Sequence, residues 1–440
     1  MSAVPTETGS PKLPPLQRPL ASYYLLLASA GLLLFLGLVM VFSASNVRSY
    51  ATYGSSSAIA INQATYIAIG LPMAIVASRM PVRFWRWIAC PALIGVVLLL
   101  VLVLLPGVGR NVDGATRWIP LPGGLNLQPS ELAKLALALW GADLLARKHR
   151  LLGDWRHLLV PLVPVAFLLA GLIMLEPDMG TTMALLAVLA ALLWVAGTPL
   201  RYFAGFMGVL VTASVFLAVA EPYRMARVTA FLDPFANAQG SGYQAVQGLY
   251  AISSGGLLGV GLGGSQSKWS GGLPNAHTDF IFAIIAEELG LIGSLSVLVL
   301  IATMTYAGVR IAKRTRDPFV RLAASAVTCW LAAQSVINIG GVVGLLPITG
   351  IPLPLMSFGG SAMLPTLVAV GMLLSFARAE PGAEAALRAR PGLLRRVRSR
   401  GAPQVAPRTP GRTGSRVPAV APRPRAASAP ARGRRPAGRR

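Results

Sequence analysis

Charge is scarce in this 440-residue chain: Asp, Glu, Lys and Arg make up 12%, against roughly 25% in an average soluble domain. Cysteine is nearly absent, and Cys90 and Cys329 both fall inside apolar runs. They offer neither a disulfide framework nor a metal-binding spacing. Acidic residues are fewer still than basic ones, 15 against 39, and the chain holds only three histidines. These shortages exclude an ordinary soluble core, a cysteine-stapled scaffold and a His/Cys metal centre. What is present instead is apolar sequence, 54% of the chain, with a mean hydropathy of +0.63. Lipid is therefore the solvent for most of it, and every backbone polar group at membrane depth must be satisfied within protein.

Windows of ~19 residues mark ten apolar runs: Tyr24–Phe42, Ala58–Val76, Trp87–Leu105, Leu132–Ala146, Leu158–Leu175, Thr181–Val195, Tyr202–Ala220, Leu289–Val309, Leu322–Leu346 and Leu355–Phe376. The expected fold is an all-α polytopic membrane protein of ten transmembrane helices. Residues 1–20, rich in Pro, Ser and Thr, read as a disordered cytoplasmic lead-in rather than a cleaved signal peptide. Residues 21–378 form the membrane domain. Residues 379–440, with 16 arginines against Glu380 and Glu384, read as a disordered Arg/Pro/Ala-rich tail that cannot bury a core. Such a polybasic run directly after a span suits anionic headgroups or an acidic partner, and nucleic acid is not expected.

Short loops rich in Lys and Arg stay in the cytoplasm. Arg79, Arg83 and Arg86, then Arg147, Lys148, Arg150 and Arg156, then Arg201, then Arg310, Lys313, Arg314, Arg316 and Arg321 mark one side. Both termini then lie inside. Residues 107–128, 176–180, 347–354 and one large loop over 221–278, between helices 7 and 8, lie outside. Nine of the 15 carboxylates gather at that outer side: Asp113, Glu131, Glu176, Asp178, Glu221, Asp233, Asp279, Glu287 and Glu288.

Several motifs interrupt the apolar background. Arg117 and Trp118 follow Gly114-Ala115-Thr116, and an interfacial anchor is the alternative use for them. In Gln128-Pro129-Ser130-Glu131-Leu132-Ala133-Lys134, Pro129 suits a first helical turn, and Glu131 and Lys134 share a face three residues apart. An ionised pair at that depth should meet a polar cavity or partner. Glu176-Pro177-Asp178-Met179-Gly180 breaks two spans, and its carboxylates are equally placed to cap the next helix. In the large loop, Arg224 and Arg227 are spaced to grip a phosphate or carboxylate, and Tyr243-Gln244 precedes a glycine-rich run, Gly255 to Gly264. Its formal G-x-G-x-x-G match, Gly259, Gly261 and Gly264, lacks a preceding strand, so close backbone approach to a headgroup or helix is the better reading. His277-Thr278-Asp279 then delivers a carboxylate to the start of an apolar helix, where burial could bring it to the basicity of a general base; a helix cap is the plain alternative. Last, Gln334 and Asn338 precede the Pro- and Gly-rich Gly344–Ser361, including Ser357. Irregular backbone of that kind at membrane depth has to be packed in protein or line a wet cavity.

Together these motifs resemble the SEDS family (shape, elongation, division and sporulation) of peptidoglycan glycosyltransferases, from about Tyr24 to Arg378. The residues that carry the resemblance are Gly114-Ala115-Thr116-Arg117-Trp118-Ile119, Gln128-Pro129-Ser130-Glu131-x-x-Lys134, Pro177-Asp178-x-Gly180, the Leu273–Gly290 block and Leu345–Ser361. The Asp279 block and Phe42-Ser43-Ala44-Ser45 look like the division branch of FtsW-like proteins. Asn275 stands where the family usually has Glu, and Phe358 and Ala362 where Tyr and Ser are common. The resemblance implies polymerisation of lipid II on the outer face of the plasma membrane at the division septum, with inversion at the anomeric carbon and loss of undecaprenyl diphosphate. Asp279 would be the general base. Arg117, Glu131, Lys134, Arg224, Arg227, Gln244, His277 and Ser357 would serve the substrate. A divalent metal, Mg or Mn, is a candidate cofactor, and no nucleotide is expected. A class B penicillin-binding protein, a transpeptidase, is the implied partner, alongside other division proteins and membrane lipid. Competing expectations are a flippase for lipid-linked precursors, an elongation-type polymerase and a non-catalytic scaffold.

Overall fold

A computed structural model describes residues 20–112, 115–149, 155–205, 207–208, 212, 225, 229–269 and 272–383. The chain divides into two units, Met1–Ala389 and Arg390–Arg440, and the second lies outside the described residues, as do the lead-in before residue 20, Arg224 and Arg227.

The main elements of the first unit are helical: α1 (Ala21–Tyr53), α2 (Ala58–Arg79), α3 (Val82–Leu104), α4 (Pro129–Arg147), α5 (Trp155–Leu159), α6 (Leu162–Leu175), α7 (Met179–Val195), α8 (Tyr243–Ser254), α9 (Ile281–Arg314), α10 (Pro318–Val342) and α11 (Met363–Arg378). Among the described residues, seven are long and apolar enough to cross a membrane: α1, α2, α3, Arg156–Leu175, α9, α10 and Gly360–Arg378. This is a helical, multi-pass membrane protein. The apolar helix α7 is shorter, at 17 residues. The helix α4 carries Glu131, Lys134, Asp143 and Arg147, so its composition falls short of a free span, yet it is almost wholly buried. It packs against α3, α6, α7 and α10, and Glu131, Lys134 and Asp143 are buried in protein, while Arg147 at its end is exposed. Most of the expected run Tyr202–Ala220 lies outside the described residues.

Among the described residues, the expected all-α architecture has one interruption. Between α3 and α4, β1 (Arg110–Val112), β2 (Ala115–Pro120) and β3 (Asn126–Leu127) form a small antiparallel sheet in the order β1-β2-β3. Val112, Thr116, Trp118 and Ile119 favour extended backbone, and Gly124, at φ +77°, supplies the left-handed turn before β3.

The two ends of the bundle differ. At one end, Arg86 and Arg147 both reach Asp143, Arg314 approaches Glu380, and Arg378 donates to the Ser78 carbonyl. This end gathers the basic loops. The other end carries the sheet, the start of α9 and the irregular segment 343–362. A rise of ~1.5 Å per residue makes α1 ~50 Å long, against a hydrocarbon core of ~30 Å. Its last turns lie beside the loops of the second end, where Arg48 reaches Asn275.

Candidate active site

The segment 343–362 is the piece on which the sequence motifs converge. Too rich in Pro and Gly for a helix, it spends its backbone groups on neighbours instead. Phe358 N donates to the His277 carbonyl (2.9 Å), Gln63 Nε2 donates to the Ser357 carbonyl (3.2 Å), and Gln128 N donates to Ser361 Oγ (3.1 Å). Gln334 Nε2 reaches the Pro352 carbonyl (2.9 Å) and Asn338 Nδ2 the Ile351 carbonyl (2.7 Å). A methyl group on Gly180 would come within 2.6 Å of Ile351 Cγ1, which is why the Pro177-Asp178-x-Gly180 turn needs glycine there. Residues from three of the other four motif blocks thus meet this one. Arg117, from the first, reaches it through the 176–177 turn.

Asp279 is half-buried, two residues before α9. The N-cap position falls on Phe280, so the plain capping alternative for Asp279 is not its place in the helix. Its backbone carbonyl accepts from Asn338 Nδ2 at 2.8 Å. With Asn338, Thr349, Gly350 and others it lines a small cavity of about 10 Å³. That cavity shares Gly341, Val342 and Ile348 with a much larger one, about 610 Å³, which Tyr243, Gln244, Pro274 and Asn275 also line. The large cavity has apolar walls and a few uncharged polar groups, an inventory suited to an amphipathic ligand.

The predicted substrate residues fall in different places. Lys134 is fully enclosed: its Nζ lies 2.8 Å from Glu131 and 3.0 Å from Gln334 Oε1, and 4.9 Å from the centre of the Trp330 ring. Arg117 is half-buried and donates to the carbonyls of Glu176 (2.8 Å) and Pro177, tying β2 to the turn before α7. Gln244 lines the large cavity, and its Nε2 reaches the Pro274 carbonyl at 3.4 Å. Ser357 is buried, its Oγ accepting from Leu353 N. His277 is buried against Phe358. Burial first, and then the nearby Arg48 guanidinium, hold its imidazole down at about 4, so it is neutral at physiological pH.

The other outer carboxylates separate by environment. Asp178 caps α7, accepting from Thr181 N at 3.0 Å, and also takes hydrogen bonds from Thr181 Oγ1 and Gln128 Nε2. Glu176 beside it has no exposed surface. Burial, reinforced by the Asp178 charge, pushes its carboxyl up to about 8. Glu287 accepts from Ser265 Oγ and from the N–H groups of Gln266 and Ser267. Glu288 accepts from Ser43 Oγ and Lys268 Nζ. Both carboxylates clasp the loop 263–268 to α1 and α9. The glycine run serves the same packing. Val260 N and Gly261 N donate to the Glu287 and Glu288 carbonyls, Gly290 breaks α9 at φ +66°, and a Cβ on Gly259 would lie 2.2 Å from the Glu288 carbonyl. Its close approach is to a helix.

Sequence reasoning passed over Arg48, Lys268 and Gln63. Arg48 is exposed, near the end of α1, and its Nη1 lies 3.4 Å from Asn275 Oδ1. Its signal would have been the position of an arginine just past the first apolar window, on the side otherwise poor in positive charge. Among the described residues, no three His, Cys, Asp or Glu side chains stand together as a metal site. No step is routed through a divalent ion.

Comparisons with known proteins identify the family. Residues 23–381 match the cell cycle protein family FtsW/RodA/SpoVE. The chain is 46% identical over 374 residues to the probable peptidoglycan glycosyltransferase FtsW of Mycobacterium tuberculosis, covering 85% of this chain and 71% of that one. It is 39% identical over 351 residues to the stage V sporulation protein E of Bacillus subtilis, 79% of this chain and 94% of that one. Among solved structures it is similar to a chain of a peptidoglycan synthase complex that coordinates polymerization and crosslinking, with 28% identity, a TM-score of 0.66 and coverage of 80% and 97%. It is also similar to the rod shape determining protein RodA of Thermus thermophilus, with 27% identity, a TM-score of 0.60 and coverage of 81% and 97%.

Proposed function

The chain belongs to the FtsW/RodA/SpoVE family and is a peptidoglycan glycosyltransferase, and from that premise we propose how its residues carry the reaction. The acceptor is a lipid-borne sugar, and the donor is lipid II. Asp279 takes the proton of the acceptor 4-hydroxyl as that oxygen attacks the donor's anomeric carbon; the bond to the undecaprenyl diphosphate breaks, and configuration inverts. The observation that carries this reading is the position of Asp279, half-buried where the small cavity adjoins the 610 Å³ one. A carboxylate at an apolar rim can be poised as a base, and the apolar walls suit a lipid-linked substrate.

The leaving diphosphate needs positive charge close by. Lys134 has no exposed surface, so its part is to hold the frame of the site. Arg48, exposed beside Asn275 and His277, takes the electrostatic role together with Arg224 and Arg227 of the large loop. The membrane frame is ten spans with both termini cytoplasmic, which sets Asp279 at the outer surface. Similarity to a chain of a complex that couples polymerization to crosslinking supports a transpeptidase partner of the class B penicillin-binding type. The names of the more similar relatives support a place at the division septum.

The test is glycan synthesis from lipid II by the purified full-length protein with its transpeptidase. Asp279→Asn should lower the rate by at least ~10²-fold, the range for loss of a general base, with the melting temperature unchanged. Wild-type rates from intact Asp279→Asn would sink the assignment.

A further inference from the structure

Asn338 sits on α10 one turn after Gln334, close to the helix end at Val342, and is 5% exposed. Its Nδ2 donates to two carbonyls from separate segments, Asp279 at 2.8 Å and Ile351 at 2.7 Å. Both neighbours are acceptors only, so the amide can face them only through its NH₂ group. The helix does not use the Asp279 carbonyl in its ladder. Ala283 N, which would be its partner four residues on, donates to the Phe280 carbonyl at 3.0 Å. The carbonyl of the proposed base is therefore held by a side chain from another helix.

The segment opposite is equally close. Gly350, at φ +75°, passes near enough that a Cβ there would lie 3.6 Å from Asp279 Oδ2. Asn338, Asp279, Gly350 and Ile351 line the same small cavity, about 10 Å³, room for about one water molecule. Gln334, one turn earlier, holds the next carbonyl along, that of Pro352, while its Oε1 accepts from Lys134 Nζ and Trp330 Nε1. Two amides on one face of α10 thus fix the start of α9 and the irregular segment against each other.

We propose that Asn338 is a positioning residue for Asp279: by holding the Asp279 and Ile351 carbonyls in one pair of hydrogen bonds, it fixes the peptide plane from which the carboxylate is aimed. The inference rests on Asp279 as the base. A misplacement of a catalytic group by about 1 Å can cost ~10²-fold in rate, so a lost clamp should show in kcat rather than in substrate binding.

The experiment measures polymerisation rate per folded molecule against lipid II concentration, using the full-length protein with its transpeptidase. Asn338→Ala should lower kcat by ~10- to 100-fold with KM within about threefold. Asn338→Thr, which keeps one hydroxyl donor, should fall between Asn338→Ala and wild type. Asn338→Asp, which turns a carboxylate oxygen toward two carbonyl oxygens, should be no better than Asn338→Ala. A merely structural role would lower the folded fraction or raise KM and would not order the three variants by donor count. If Asn338→Ala fails to purify, Asn338→Thr decides by the same split. The proposal is overturned by a kcat within twofold of wild type in Asn338→Ala or Asn338→Asp, or by a loss confined to KM. Asp279→Asn in the same assay separates the failures. If it is active, the base assignment falls; if it is inactive while Asn338→Ala matches wild type, only the positioning role falls.

Discussion

Lys134 with Glu131 and Lys268 with Glu288 are both buried lysine–glutamate pairs, 2.8 and 3.1 Å apart, at the same end of the bundle, yet their remaining bonds lead to different places. From Lys134 the next contact is Gln334 Oε1, and from Gln334 the Pro352 carbonyl, in the segment that lies against Asp279. From Lys268 the next contacts are the Gly263 carbonyl and Ser43, and Ser43 returns to Glu288. One pair opens into the site; the other closes on itself and locks a loop to α1 and α9. Burying an ion pair costs desolvation that its attraction only partly offsets. Pairs of equal chemistry are therefore informative chiefly through what else they hold.

The comparison is most exposed at Lys134. Replacing it with Met keeps the length but leaves Glu131 charged, buried and without its cation, a defect worth ~3–5 kcal/mol. Lys134→Met should melt well below wild type and make no polymer. Adding Glu131→Gln removes the stranded charge, so the double variant should recover most of the melting temperature and little of the activity, because Gln334 Oε1 has lost the Lys134 ammonium and keeps only the Trp330 N–H. A double variant that polymerises at the wild-type rate would make this pair as purely mechanical as the other.

The second pair predicts the reverse split. Glu288→Gln keeps an acceptor for Ser43 and Lys268 but loses the charge, at a cost of ~1–3 kcal/mol. The protein should melt earlier while its rate per folded molecule stays within about threefold of wild type. Inactivity of folded Glu288→Gln would bring Lys268 and Glu288 into the site.

Much of the site is legible in the amino-acid sequence. The Glu131–Lys134 pair, the Asp279 block and the irregular Pro- and Gly-rich segment stand out because polar residues are costly in apolar sequence, and the fold brings them together. The apolar windows miss edges for a physical reason. The eighth begins at Leu289, after two glutamates, whereas α9 begins at Ile281, its carboxylates satisfied by loop N–H groups. The first ends at Phe42, whereas α1 runs on to Tyr53, which hides Arg48 as a loop residue of no evident use. The aim of the Gln334 and Asn338 amides at carbonyls of distant segments cannot be read from spacing, because it depends on how α9 and residues 343–362 pack against α10.

The last expected effects concern two neutral groups at this end, and they have opposite signs. His277 titrates at about 4 in the fold against 6.5 for a free histidine. Between those values the unfolded chain binds a proton that the folded chain refuses, so stability falls as pH drops through that range. Glu176 titrates at about 8 against 4.5. There the folded chain keeps a proton that the unfolded chain releases, and stability falls as pH rises from 4.5 toward 8. The two slopes oppose each other where the ranges overlap, and above 6.5 only that of Glu176 remains. Melting curves of the purified protein should accordingly decline from pH 6.5 to 8, with the decline removed by Glu176→Gln and left in place by His277→Gln. An unchanged decline in Glu176→Gln would mean that this carboxyl is ionised in the fold. Arg117, whose guanidinium already meets the adjoining carbonyls, would then be its counter-charge.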